Sequence, residues 1–237
     1  MRHVRTWLFK LAFYGGSVVI LVLCSIALLL PRAVIMWLCQ FWSRYHRACC
    51  NGVLGIRARV EGRRHDGQAL YAMKHESFYE AIDAPTFLEG PVIPFAKIEL
   101  MRLPLWGRAA SRYGMIGVER DAGARAVRHI TRAARERLPE GRDFVIFPEG
   151  TRVPHDRAGP LQAGLYAIYK ILGLPLVPVA VDSGPLYQAR PMRGGTITYR
   201  IGEAIPPGLP REELEARVHA AINALNDPPD NAGQPPA

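Results

Sequence analysis

The chain has 237 residues, 49% of them hydrophobic and 22% charged, which suits one packed domain with a short appendage and excludes a disordered chain. Its 30 Lys and Arg against 21 Asp and Glu give a net charge of +9, yet residues 1–50 hold six of the basic residues and no acid. Two thirds of the excess therefore flanks the most apolar stretch instead of lying on the folded body, which argues against nucleic acid as a partner and for a membrane surface.

Leu11 to Leu30 is a run of twenty residues without a charge. As a helix it would cover about 30 Å, the thickness of a bilayer core. A secretory signal is the competing reading, but no A-x-A-like cleavage site follows. Pro31 and Arg32 interrupt the run. A second apolar piece, Ala33 to Trp42, is too short to span, and its Trp37, Phe41 and Trp42 suit the headgroup boundary. Basic residues sit on both flanks of the pair. A helical hairpin entering and leaving on one face would place both flanks on the cytoplasmic side, and a single span is the other open arrangement. Residues 1–50 thus read as a membrane anchor. All four cysteines, Cys24, Cys39, Cys49 and Cys50, fall within it. That excludes a disulfide scaffold for the remainder, offers no C-x-x-C metal pair, and fits a domain in the reducing cytoplasm.

From residue 51 to about 225, β-rich runs alternate with helical ones. The expected strands are Leu70–Met73, Val92–Ala96, Met115–Val118, Phe144–Phe147, Leu176–Val181 and Thr196–Ile201, with helices near Ser77–Phe87, Leu100–Tyr113, Ala122–Leu138 and Leu161–Leu172. This alternation predicts an α/β domain with a mostly parallel central sheet flanked by helices. A last helix over Pro210–Leu225 has Glu212 and Glu213 in its first turn and an apolar stripe at Leu214, Val218, Ala221, Ile222 and Leu225. Residues 226–237 are Pro-rich and polar, and are expected to be disordered. Arg125, Arg128, Arg132 and Arg135 would share one face of the Ala122–Leu138 helix. That face is either simply solvated or a contact for anionic lipid or an acidic acyl carrier.

Chemistry-bearing residues cluster after the strands. His75-Glu-Ser-Phe-Tyr-Glu80 follows the first expected strand, and the carboxyl edge of an open α/β sheet is where ligands bind. With His75 just ahead of a helix, Glu80 in that helix can reach back to one ring nitrogen and leave the other as a base. Asp83 lies about two turns along and too far from the ring. Phe147-Pro-Glu149-Gly150-Thr151-Arg152 follows another strand. There Gly150 allows close backbone approach, while Thr151 and Arg152 supply a hydroxyl and a forked guanidinium suited to phosphate. Gly114 to Arg120 is a short strand ending in an acid and a base, and Leu176-Val-Pro-Val179 is a further strand.

In this order and spacing the four blocks resemble the glycerolipid acyltransferases, specifically the 1-acyl-sn-glycerol-3-phosphate acyltransferase family. The first matches its H-x4-D motif, with Glu80 where Asp is usual, and the FPEGTR block is intact. Ala96-Lys97-Ile-Glu99-Leu100 is similar to the family's lysine-containing link. The resemblance implies acyl transfer from acyl-CoA or an acyl-carrier protein to the sn-2 hydroxyl of lysophosphatidic acid, with His75 as base and Glu80 orienting it. It also implies that Lys97, Arg120, Glu149, Gly150, Thr151 and Arg152 bind substrate, and that neither metal nor bound cofactor takes part. The implied location is the inner membrane, with the catalytic domain facing the cytoplasm. Another lysolipid acceptor, such as lyso-ornithine lipid, is the alternative. A non-catalytic lipid-binding relative is a third reading, opposed by His75 standing with an unbroken FPEGTR block.

Overall fold

A computed structural model describes residues 1–119 and 123–226, and the side chains of residues 123–127 lie outside that description. So does the tail from residue 227 on.

The first helix, α1, spans Arg2–Ala27, and α2 spans Arg32–Cys49 after Pro31 at its N-cap. Tyr45 donates its hydroxyl to the Ala12 carbonyl and Trp42 its indole N–H to Ser17, at 2.7 and 2.9 Å. These pairings make α1 and α2 antiparallel. Helix α2 runs well past Trp42, the end of the expected apolar piece. Its polar second half is consumed by the rest of the fold: Ser43 meets Thr86, His46 meets Tyr187, and Arg47 makes a forked ion pair with buried Asp83 at 2.7 and 2.5 Å. The outer end of α1 is held the same way, by Arg5 on the Val53 carbonyl and Met192 N–H on Thr6. At the inter-helix turn Arg32 forks onto Glu140, which also accepts from Arg137 and Arg142. Burial favours the protonated acid there, but the three guanidinium hydrogen bonds prevail and hold the Glu140 carboxyl down at about 2. Both helices therefore lie along the domain over their whole length.

Helix α1 is long and apolar enough to cross a membrane, yet only 22% of its most apolar stretch is buried by the rest of the protein. Leu11, Val18, Val22 and Ile26 face outward. A core helix of a soluble protein would have hidden them.

The sheet has seven strands: β1 Ile56–Glu61, β2 Leu70–Met73, β3 Ile93–Lys97, β4 Ile116–Val118, β5 Phe144–Ile146, β6 Leu176–Val181 and β7 Gly195–Ile201, in the order β1-β7-β6-β2-β5-β3-β4. Every pairing is parallel except β6 with β7. The chain is thus an α/β protein with a mostly parallel central sheet, as the alternation of strands and helices predicts. Strand β1 was not among the predicted ones. Ile56, Ala58 and Val60 alternate with Arg57, Arg59 and Glu61, the pattern of a half-exposed strand and not the apolar run of a sheet interior.

Side-chain alternation along the strands splits the core in two. Tyr71, Met73, Val177, Val179 and Tyr199 pack beneath α1, α2 and α3 (Tyr79–Phe87), with Phe9, Phe13 and Phe87 filling that layer. Leu70, Ala72, Phe144 and Leu176 face α6 (Gly123–Arg137), α7 (Gly164–Leu172) and α8 (Arg211–Ile222) through Ile130, Leu165, Leu214 and Val218. Each such buried side chain contributes about 1.5–3 kcal/mol. The helix predicted over Leu100–Tyr113 is instead two, α4 (Ile98–Met101) and α5 (Trp106–Tyr113). Pro104 and Leu105, the latter at φ +61°, turn the chain between them. Helix α4 packs on β4 at Gly117, where a Cβ would lie 2.6 Å from Ile98.

Candidate active site

Strands β6, β2, β5, β3 and β4 all run the same way, so their carboxyl ends share one edge of the sheet. The topology delivers four of the singled-out segments to that edge: His75 after β2, Phe147–Arg152 after β5, Lys97 at the end of β3 and Glu119 after β4. Arg120 lies outside the described residues.

His75 leaves β2 two residues past Met73 and is followed by a turn, with α3 starting at Tyr79. The Ser77 hydroxyl accepts the Tyr79 N–H and so supports the helix start. The turn brings Glu80 back beneath the histidine, with Glu80 Oε1 3.0 Å from His75 Nδ1. Glu80 is fully buried. Its Oε1 also accepts the Glu76 and Ser77 N–H groups at 2.6 and 2.7 Å, and its Oε2 takes the hydroxyls of Ser77 and Ser183 at 3.0 and 2.6 Å. Such a carboxylate is held as an acceptor, which makes Nδ1 the protonated ring nitrogen and leaves Nε2 with its lone pair. No described residue hydrogen-bonds Nε2, and the imidazole side chain keeps 15% of its surface exposed. One face of the ring lies on Phe147, 4.3 Å between centroids. Asp83 is turned away from this cluster and held by Arg47 and Tyr199.

The FPEGTR block divides in two. Glu149 points inward: it is buried, pairs with the fully buried Lys74 at 2.7 Å, and accepts the N–H groups of His75 and Gly159. Lys74 is completed by the Arg157 carbonyl and Asn223 at 2.8 Å each. In this geometry Glu149 ties the β5 loop to the base of His75. Gly150, at φ +66°, turns the chain outward. Thr151 and Arg152 are then exposed, and the Arg152 guanidinium stacks on Phe78 at 4.3 Å. Phe78 is itself 54% exposed and lies in the turn between His75 and Glu80. A fixed, solvent-facing guanidinium thus stands beside the histidine turn. Lys97 is exposed on the same edge, but β5 separates β3 from β2, which puts Lys97 about 10 Å along the edge.

Several supporting residues had no readable signal. Ser183 on Glu80, Lys74 on Glu149 and His155 on Glu76 are each brought in from 75 or more residues away, or from one position next to a named residue. Burial pushes the Glu76 carboxyl up to about 7, against the lowering influence of hydrogen bonds from Gly184 N–H and His155.

A histidine with one nitrogen held by a buried carboxylate and the other open, at the carboxyl edge of a parallel sheet, can take a proton from a bound hydroxyl, as general-base group transfer requires. The chain belongs to the Acyltransferase family, whose model matches residues 57–182. It is similar to the 1-acyl-sn-glycerol-3-phosphate acyltransferase of Pseudomonas aeruginosa, 31% identical over 218 residues that cover 86% of this chain and 82% of the relative. It is also similar to the lyso-ornithine lipid O-acyltransferase of the same organism, 29% identical over 216 residues covering 81% of each chain. In fold it resembles the crystal structure of the 1-acyl-sn-glycerophosphate (LPA) acyltransferase PlsC of Thermotoga maritima, with a TM-score of 0.72 and 23% identity, covering 95% of this chain and 96% of that one.

Proposed function

We propose that this acyltransferase moves a fatty acyl group from a thioester, acyl-CoA or acyl-carrier protein, to the sn-2 hydroxyl of lysophosphatidic acid. The observation that carries the reading is the His75–Glu80 pair with Nε2 open, with Arg152 stacked on Phe78 of the same turn. His75 Nε2 takes the hydroxyl proton as the oxygen attacks the thioester carbonyl. The C–S bond breaks as the ester forms, and the imidazolium returns its proton to the departing thiolate. Glu80 holds the tautomer and stabilises the imidazolium while it lasts. The chemistry requires neither a metal nor a bound cofactor. Arg152, with Lys97 further along the edge, binds the acceptor phosphate. Incubating membranes that contain the protein with a labelled acyl thioester and lysophosphatidic acid should yield the diacyl product by mass spectrometry. Absence of acylated product across a panel of lysolipids would overturn the reading.

The similarity to a lyso-ornithine lipid acyltransferase favours one second acceptor, an aminolipid without phosphate. The panel separates the two, and Arg152 sharpens the comparison. A charge-assisted hydrogen bond contributes about 1.5–3 kcal/mol. Arg152→Ala is therefore expected to raise KM for the phosphorylated acceptor by about tenfold or more, with the donor KM within about twofold. Lys97→Ala should do less. A raised donor KM alone would move Arg152 to the thioester side.

The α1–α2 hairpin is proposed to seat the protein on the cytoplasmic face of the inner membrane without crossing it. The outward Leu11, Val18, Val22 and Ile26, together with both outer helix ends being held on the domain, support this arrangement. The protein should then stay with membranes through high-salt and carbonate washes. Labelling of an N-terminal tag from outside intact cells, with the domain protected, would rule the hairpin out.

A further inference from the structure

Two residues beside the catalytic pair form a second histidine–carboxylate pair that the transfer chemistry does not use. Glu76, next to His75, is fully buried, and His155 Nδ1 lies 2.8 Å from its Oε1. His155 is 22% exposed and comes from the loop that follows the FPEGTR block, three residues after Arg152. The other oxygen of Glu76 accepts the Gly184 N–H at 2.7 Å, and the Glu76 carbonyl accepts from the Gln188 side chain. Gly184 and Gln188 belong to the β6–β7 connection, as does Ser183 on Glu80. Glu76 is therefore the point where three segments meet: the turn of the base, the loop after β5 and the connection after β6. They meet closely, since a Cβ on Gly184 would lie 3.0 Å from Glu76 Oε2 and 3.5 Å from His155 Cβ. The Val153 N–H on the His75 carbonyl, at 2.8 Å, adds a second tie between the first two.

A carboxyl group in a dry interior is costly unless its polar atoms are partnered, and both side-chain oxygens of Glu76 are bonded to the neighbouring segments. Its backbone N–H is one of the donors that hold Glu80 Oε1. Displacing Glu76 therefore displaces both His75 and the group that orients it. A shift of even 1 Å in a base can cost about 100-fold in rate.

We propose that Glu76 and His155 are a positioning pair for the base, acting on turnover through His75 and Glu80 and not on substrate binding. The inference rests on the acyl-transfer reading, and two readouts keep the fates of the two apart.

The test compares His155→Leu, which removes the ring donor, with His155→Asn, whose amide nitrogen takes the place of Nδ1 and can still donate to Glu76 Oε1. Full-length protein is purified in detergent and assayed with lysophosphatidic acid and acyl-CoA, and with the rest of the lysolipid panel. His155→Leu is expected to lower kcat about tenfold or more, with acceptor and donor KM within about twofold and a thermal midpoint within a few degrees of wild type. His155→Asn should recover most of kcat. Independently of turnover, trypsin should cut after Arg157 faster in His155→Leu than in wild type, and at the wild-type rate in His155→Asn. Wild-type kcat in His155→Leu, a loss confined to KM, or a loss matched in both variants would overturn the positioning role. Equal trypsin rates in all three would overturn the tie itself, whatever the protein acylates. A wild type that acylates no lysolipid would sink the functional reading, while the trypsin comparison would still decide whether the clamp exists.

Discussion

His75→Ala is expected to lower kcat by about 10²–10⁴-fold, the usual cost of losing a general base, which corresponds to about 3–5 kcal/mol of transition-state stabilisation. The protein should still fold and remain in membranes, because the substitution leaves no buried group stranded. Glu80 keeps the N–H groups of Glu76 and Ser77 and the hydroxyls of Ser77 and Ser183. The ring it loses is partly exposed and packs mainly on Phe147. Turnover of the purified variant, read beside its circular-dichroism melting curve, decides the matter. Wild-type-like kcat in a melting-competent preparation would remove His75 from the chemistry. The expected contrast with Arg152→Ala is one of kind: the base variant loses kcat, the arginine variant loses acceptor affinity.

The parts of the fold visible in the sequence are those whose signal is local. Six strands were legible because they are short apolar runs bounded by turn residues, and their order forced the parallel sheet that lines up His75, Phe147–Arg152 and Lys97 on one edge. The reversed direction of β7 was not legible, because it depends on how residues 182–194 travel and not on the composition of the strand. The length of α2 was hidden for a different reason. Ser43, His46 and Arg47 read as the polar end of an apolar segment, whereas the fold buries Ser43 and His46 against Thr86 and Tyr187 and pairs the half-buried Arg47 with Asp83. The site shows the same division. The pairing of His75 with Glu80 follows from a five-residue spacing across a strand-to-helix turn. The inward turn of Glu149 does not, because it requires Lys74, and nothing around Lys74 in the sequence announces a fully buried ammonium. Of the FPEGTR block, spacing alone could not tell the residue that ties loops together from the residues that face solvent.

The last expectation concerns Glu80, where this chain has the longer acid in place of Asp. In the serine-protease triad, exchanging the orienting carboxylate for an amide costs about 10⁴-fold, because the amide N–H stabilises the wrong histidine tautomer. The geometry here does not permit that error. A Gln at position 80 must put either its oxygen or its NH₂ where Oε1 stands, facing the N–H groups of Glu76, Ser77 and His75. Three donors exclude the NH₂. The Oε2 side meets only the hydroxyls of Ser77 and Ser183, which can rotate to accept. Glu80→Gln should therefore keep the productive tautomer and lose only the charge that stabilises the imidazolium, a cost of about 10–100-fold in kcat. Glu80→Asp keeps the charge but shortens the arm by about 1.5 Å. From 3.0 Å, that carries the carboxylate beyond hydrogen-bonding range of Nδ1. It also strands buried donors at about 1–3 kcal/mol each. Its kcat should fall about 10²–10³-fold, with a lower melting temperature. The amide is thus expected to outperform the acid, although the acid is the residue usual in the family. Asp83→Asn serves as the control, since Asp83 is bound to Arg47 and Tyr199 and not to His75. It should lose stability and keep kcat. Higher kcat in Glu80→Asp than in Glu80→Gln would mean that charge, and not the direction imposed by five donors, is what Glu80 gives to His75.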